Sequence, residues 1–144
     1  MTLCDLDVLA LTIYGEARNQ AVEGKIAIGN VCRNRLKTNR WGSSYERVCL
    51  APMQFSCWSP QGGLSNYTTL QALAQQIMNG KPPKGDPILD ECYWIASGIQ
   101  SGAAQDNVDA ATFYFVTNSK MPSWAIGHLP VCVIGAHSFF SGIA

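Results

Sequence analysis

Apolar residues return at helical spacing in the first stretch of the chain. Leu6, Leu9, Ala10, Ile13 and Ala17 make one stripe along a helix expected to start near Asp5. Glu16 falls about 60° off that stripe, at the edge of the buried face and near the helix end. A second helix is predicted from Val22 or Glu23 to Leu36. Its apolar residues (Ile26, Ala27, Ile28, Val31, Cys32, Leu36) go most of the way round, the pattern of a central helix. Asn30, Arg33, Asn34 and Arg35 share it, so these polar groups must find partners inside or line a cleft. Residues 37–66 read as irregular. Gly42, Pro52, Pro60, Gly62 and Gly63 punctuate them, and Trp41, Tyr45, Phe55 and Trp58 cluster there. A loop that long in a small domain is usually functional. A third helix is expected behind a Ser65 or Asn66 cap, with Leu70, Leu73, Ala74, Ile77 and Met78 as its stripe and Asn79-Gly80 as its end. A fourth opens on Asp86 as cap and Pro87, carries Asp90 and Glu91 at its positive end, and runs to Ser101-Gly102. Segments 111–116 and 130–140 are rich in strand formers. The pattern predicts an α+β fold, mostly helical, in one domain over residues 1–144 with a small β element.

Composition narrows the choice of partner. The 144 residues are 47% hydrophobic and 14% charged, which fits a compact chain with a real core. Ten basic residues balance ten acidic ones. Zero net charge removes the electrostatic reason to bind nucleic acid or an anionic membrane surface. A neutral carbohydrate, gripped by aromatics and hydrogen bonds, fits better, and four Trp and five Tyr are available. No apolar run reaches the ~20 residues of a bilayer span, and the N-terminus lacks a secretory signal. Synthesis in a cytosol without insertion into a membrane is therefore expected. The cysteines at 4, 32, 49, 57, 92 and 132 are expected to be mostly buried and reduced, with Cys49 and Cys57 the best candidates for a bridge in an oxidising compartment. The absence of Cys-x-x-Cys and the presence of only two His argue against a zinc site, and no metal or cofactor is expected.

Most of the acids have ordinary explanations. Asp5, Asp86, Asp90 and Glu91 suit helix caps and first turns, Glu46, Asp106 and Asp109 fall in loops, and Asp7 reads as solvated. Glu16 and Glu23 remain. A glycosidase acid has to hold a proton near neutral pH, and the edge of a core-facing stripe can favour that while leaving an opening for substrate. The alternative for Glu16 is a solvated helix-end residue paired with Arg18. Glu23 reads as a first-turn acid of the second helix, or as a second carboxylate.

Several ordered motifs then converge. Ile13-Tyr-Gly-Glu-Ala-Arg18 is followed by Glu23-Gly-Lys-Ile-Ala-Ile-Gly-Asn-Val-Cys-Arg-Asn-Arg35 and by Val48-Cys-Leu-Ala-Pro-Met-Gln-Phe-Ser-Cys-Trp58. Ala111-Thr-Phe-Tyr114, Pro122-Ser-Trp-Ala125 and Ile134-Gly-Ala-His-Ser-Phe139 come after them. Together these resemble the SleB-type, spore-cortex-lytic cell wall hydrolase family over residues 8–140. The resemblance implies a lysozyme-like domain that cuts the glycan strand of peptidoglycan. It puts the catalytic Glu on Glu16 and a cleft wall on Gln54, Phe55 and Ser56. One departure stands out: the family's Glu-Ala-Arg-Gly-Glu becomes Glu16-Ala-Arg-Asn-Gln20 here, so the second acid is an amide.

One acid suffices for lytic transglycosylation. Glu16 would protonate the glycosidic oxygen between N-acetylmuramic acid and N-acetylglucosamine, then take a proton from the muramoyl 6-hydroxyl as an anhydro ring closes. Gln54, Ser56 and Tyr114 are candidates to stabilise the oxocarbenium-like state. Tyr93, Trp94 and Trp124 are candidates to stack on sugars, and His137 to line the cleft. Arg18, Asn34 and Arg35 are expected to hold helix ends and loops. A hydrolytic muramidase is the nearest alternative. More distant ones are a peptidase pairing Cys57 or Cys92 with His137 and a non-enzymatic glycan-binding phage protein. The expected setting is a monomeric phage or prophage endolysin that reaches the wall through a holin, or a virion-associated lysin.

Overall fold

The computed structural model describes residues 2–144. Five helices are followed by a small sheet: α1 (Asp5–Ala17), α2 (Val22–Thr38), α3 (Tyr45–Leu50), α4 (Leu64–Met78) and α5 (Pro87–Ser101), then β1 (Phe113–Val116), β2 (Cys132–Ile134) and β3 (His137–Phe140). The strands lie in the order β1-β3-β2, all antiparallel, with Tyr114 opposite Phe139 and Val116 opposite His137. The fold is α+β and mostly helical, as the pattern predicted.

The central helix is α1. Its residues Val8 to Ile13 are buried in unbroken succession, and it packs on α2, α3, α4 and α5. This corrects the single-stripe reading. Val8, Leu11 and Thr12 lie off the stripe but are buried too, because α1 has neighbours on several sides. Thr12 can be buried because its hydroxyl donates to the Val8 carbonyl at 2.7 Å and accepts from Trp58 Nε1 at 2.8 Å. Asp7 is corrected as well. It is half-buried rather than solvated, and it accepts from the Tyr93 hydroxyl at 2.8 Å and the Cys4 amide at 3.1 Å. Burial pushes its carboxyl pKa up, but hydrogen bonds from Cys4 and Tyr93 outweigh that and hold it below the usual value.

The polar residues of α2 tie down the approach to the sheet. Asn30 Nδ2 donates to the Gln105 carbonyl at 2.8 Å, Arg33 to the Ala104 carbonyl at 2.7 Å, and Asn34 to the Ala111 carbonyl at 3.0 Å. On the other side Lys25, 5% exposed, pairs with Glu91 of α5 at 2.8 Å. Within residues 37–66, expected to be irregular, α3 forms because the Ser44 hydroxyl accepts from the Arg47 amide at 3.1 Å. Two short 3-10 turns follow at Ser56–Trp58 and Pro60–Gly62. Helix α4 starts at Leu64, behind Gly63 rather than behind a Ser65 or Asn66 cap. The Asn66 side chain instead donates to the Gly15 carbonyl at 2.9 Å. Asp86 does cap α5, accepting from the Ile88 and Leu89 amides at 3.1 Å.

All six cysteines are free. The pairing of Cys49 with Cys57 is corrected: the sulfur near Cys49 is that of Cys32, at 3.8 Å. Cys57 lies instead against Gly15 of α1. A Cβ at Gly15 would stand 2.6 Å from Cys57 Cβ and 2.8 Å from its sulfur. Only a glycine lets the 56–58 turn sit this close to the end of α1. Gly15→Ala should therefore lower the unfolding free energy by about 2 kcal/mol through overpacking, despite alanine's better helix propensity. Urea denaturation checks this, and a variant as stable as wild type would refute the close contact.

Candidate active site

Glu16 sits on the last turn of α1, half-buried, where the helix offers a carboxylate only carbonyl oxygens. Its donors come from elsewhere. Oε2 accepts from the Cys57 amide at 3.0 Å and from the Ser56 hydroxyl at 3.4 Å. Oε1 accepts from the Tyr114 hydroxyl of β1, 98 residues away. Burial, and then the neighbouring Glu16, push the Tyr114 phenol well above its ordinary pKa, so it remains a protonated donor.

The carboxylate lies between two hollows. One, of about 340 Å³, also meets Arg35, Gln54, Ser56, Tyr114 and His137. The other, of about 300 Å³, also meets Arg18, Asn19 and Asn66. Among the residues lining either hollow, Glu16 is the only acid. A larger cavity of about 640 Å³ lies away from it, beside the exposed Trp94 of α5. Its lining is mostly apolar, and no set of donors converges on its single carboxylate, Glu23. The converging donors therefore make the hollows at Glu16 the candidate site. No three His, Cys, Asp or Glu side chains converge on a possible metal position among the described residues.

Behind the cleft stands a cation. Arg35, 3% exposed, donates from Nε to the Thr112 carbonyl at 2.7 Å and from a terminal nitrogen to Gln54 Oε1 at 3.1 Å. Its guanidinium carbon lies 4.5 Å from the Trp41 ring centre and 4.9 Å from that of Phe55. Trp41 Nε1 also donates to Gln54 Oε1, at 3.0 Å. Two donors on that oxygen fix which way the amide faces. Phe55 is buried and supports the Tyr114 ring from below at 6.4 Å, so it backs the wall rather than lining the opening. His137 is buried and meets the Tyr114 ring edge-on at 5.3 Å. Burial lowers its pKa, although Glu16 pulls the other way.

The structure thus brings together Glu16, Gln54, Ser56, Tyr114 and His137. It does not bring Tyr93 or Trp124 to them. Tyr93 is held by Asp7, and Trp124 packs on Phe113 at 4.9 Å and Phe140 at 5.2 Å in a small second core. Trp94 and Glu23 face the apolar cavity. Arg35, expected to find partners inside or to line a cleft, does both, whereas Asn66 and the exposed Met53 at the rim were not anticipated. Arg35 left a signal as one of several polar residues on a helix whose apolar positions go most of the way round; Asn66 and Met53 left none. Cys57 and Cys92 make no hydrogen bond to His137. Burial pushes the Cys92 thiol up to about 12, and burial with Glu16 pushes the Cys57 thiol higher still, the opposite of an activated nucleophile.

The sequence profile of a family described as Cell Wall Hydrolase matches residues 19–140. The chain belongs to the cell wall hydrolase family. The matched stretch begins three residues after Glu16 and does not include it. Two relatives named spore cortex-lytic enzyme are similar over 136 residues, or 94% of this chain. The one from Bacillus subtilis is 27% identical and the one from Halalkalibacterium halodurans 23%. This family member spans only about a third of their length, 37% and 34% respectively. Among solved structures, the catalytic domain of the germination-specific lytic transglycosylase SleB from Bacillus anthracis superposes with a TM-score of 0.65 at 18% identity. It covers 95% of this chain and 93% of that one. The catalytic domain of Bacillus cereus SleB gives 0.64 at 19% identity, over 95% and 89%. The fold is shared with both.

Two outcomes follow for this hydrolase-family site. Tyr114→Phe keeps the ring packing and removes one donor from Glu16. It should lower kcat by about 10- to 100-fold with little loss of stability, as read from turbidity loss of purified peptidoglycan beside thermal unfolding. His137 has its folded pKa below the unfolded 6.5. As pH falls below that value the unfolded chain takes up the proton first, so the fold loses stability; above it the effect vanishes. The slope of unfolding free energy against pH below 6.5 should therefore be shallower in His137→Gln, and an equal slope would remove the histidine from this role.

Proposed function

We propose that this domain cleaves the bond between N-acetylmuramic acid and N-acetylglucosamine in peptidoglycan by lytic transglycosylation, with Glu16 as general acid and then base. The observation that carries this reading is the solitary carboxylate between two hollows. A glycan can cross Glu16 with sugars on both sides of the scissile bond. Hydrolysis by two carboxylates needs a second acid about 5–10 Å away to act as nucleophile or to activate water, and neither hollow has one. The muramoyl 6-hydroxyl needs no such partner, since it arrives with the substrate and can give its proton to the carboxylate that has just lost one.

The first step breaks the glycosidic C–O bond as Glu16 donates its proton to the leaving oxygen. The muramoyl C1 becomes oxocarbenium-like. The 6-hydroxyl oxygen then bonds to C1, its proton passes to Glu16, and the acid is restored. Tyr114, Ser56 and the Cys57 amide hold the carboxylate during both transfers, and Gln54 and His137 complete the wall. The names of the relatives, spore cortex-lytic enzyme and lytic transglycosylase SleB, agree with this chemistry. The setting we propose is a monomeric lysin of phage type, made in the bacterial cytoplasm and released onto the wall through a holin.

Mass spectrometry of fragments released from purified peptidoglycan tests the reading. Wild type should release anhydro-muropeptides, and Glu16→Gln should release about 1,000-fold less or none. Reducing-end muropeptides would make the enzyme a hydrolytic muramidase. Cleavage that survives Glu16→Gln would remove Glu16 from the chemistry.

A further inference from the structure

We propose that Gln20 is a positioning residue of this site: its side-chain oxygen fixes the β2–β3 turn to the end of α1, and through that turn sets His137 and Tyr114 against Glu16. The inference rests on the reading of Glu16 as the acid.

Gln20 lies four residues after Glu16, in the turn between α1 and α2. Its own backbone is anchored. Its amide donates to the Ala17 carbonyl at 2.9 Å, and its carbonyl accepts from Lys25 Nζ at 2.8 Å. Lys25 is in turn paired with Glu91 at 2.8 Å and is nearly inaccessible. From this base the Gln20 side chain reaches across 116 positions of sequence, where Oε1 accepts from the Ala136 amide at 3.0 Å. Gly135, at φ 56°, makes that approach possible. A Cβ there would stand 2.3 Å from the same oxygen.

The far side of the turn leads back to the acid. The Ala136 carbonyl accepts from the Thr117 amide at 2.8 Å, so the turn is bound to β1 as well. His137 follows directly, paired with Val116, and its ring meets Tyr114 edge-on. Tyr114 donates to Glu16. The contacts therefore close a circuit: Glu16, the end of α1, Gln20, Ala136, His137, Tyr114 and Glu16 again. Opening it at Gln20 frees the turn to shift, and small displacements of a catalytic hydrogen bond reduce rate more than affinity. What the position requires is an acceptor oxygen, which an amide supplies as well as an acid does. The Gln20 departure thus becomes intelligible without a second catalytic carboxylate.

The test compares wild type with Gln20→Leu, Gln20→Glu, Gly135→Ala, Tyr114→Phe and the Gln20→Leu/Tyr114→Phe double variant. Each is assayed for kcat and KM on peptidoglycan and for thermal unfolding. Gln20→Leu should lose about tenfold in kcat with KM within about twofold. Gln20→Glu, which keeps the acceptor, should recover to within about threefold of wild type. Gly135→Ala strains the same contact from the other side and should reproduce the leucine effect. If Gln20 acts through Tyr114, the double variant is no slower than Tyr114→Phe alone. The inference is overturned if Gln20→Leu keeps wild-type kcat, if Gln20→Glu is as impaired as Gln20→Leu, or if the two losses multiply in the double variant. A wild type that releases no glycan fragments overturns the reading of Glu16 itself and this inference with it.

Discussion

A phenol on residue 114 meets a carboxylate on residue 16, and much of the molecule exists to bring them together. The carboxylate stands where its own helix supplies no donor, so its surroundings have to be imported. The 56–58 turn brings an amide and a hydroxyl, admitted by the missing side chain at Gly15. The sheet brings Tyr114, and the sheet is in turn held by α2 through Asn34 and Arg35. Each link is a polar group with a partner, several of them buried, so a break at one link leaves another group unpaired.

The site's electrostatics are unusual for a cleft built on an acid. The buried cation of the cleft wall, Arg35, is spent on a carbonyl, an amide oxygen and three aromatic faces rather than on Glu16. Burial lowers its pKa, with Cys32 and Tyr114 acting in the opposite sense, and an arginine can lose much of its margin and still stay charged. A guanidinium bonded to Glu16 would stabilise the ionised carboxylate and weaken it as a proton donor. Here the direct partners are neutral: the Tyr114 phenol, the Ser56 hydroxyl and the Cys57 amide.

How much of this was legible in the sequence depends on range. Asp86 with Pro87, the Gly102 end of α5 and the strand formers at 111–116 are local signals, and the structure follows them with a helix from Pro87 to Ser101 and a strand from Phe113 to Val116. Glu16 stood out in the sequence because its place at the edge of a stripe and its motif coincide, and the structure brings three donors to it. The irregular reading of 37–66 overlooked the Ser44 cap, a signal too short to outweigh the Gly and Pro around it. Tyr93 and Trp124 look as suitable for sugars as Tyr114 does. What separates them is whether Asp7, Phe113 or Glu16 lies opposite, and for Tyr93 and Tyr114 those partners are 86 and 98 residues away. The all-round burial of α1 is invisible for the same reason, since a stripe records one neighbour and not four.

That burial has a consequence for how the domain ages. Segments that breathe in folded proteins are those with few buried contacts, and they open without disturbing the rest. The helix that carries Glu16 is the opposite case: it cannot peel away alone, because Val8 to Ile13 touch solvent nowhere. The middle of α1 therefore opens only together with the helices packed on it, so on heating or storage this segment is lost with the fold as a whole rather than before it.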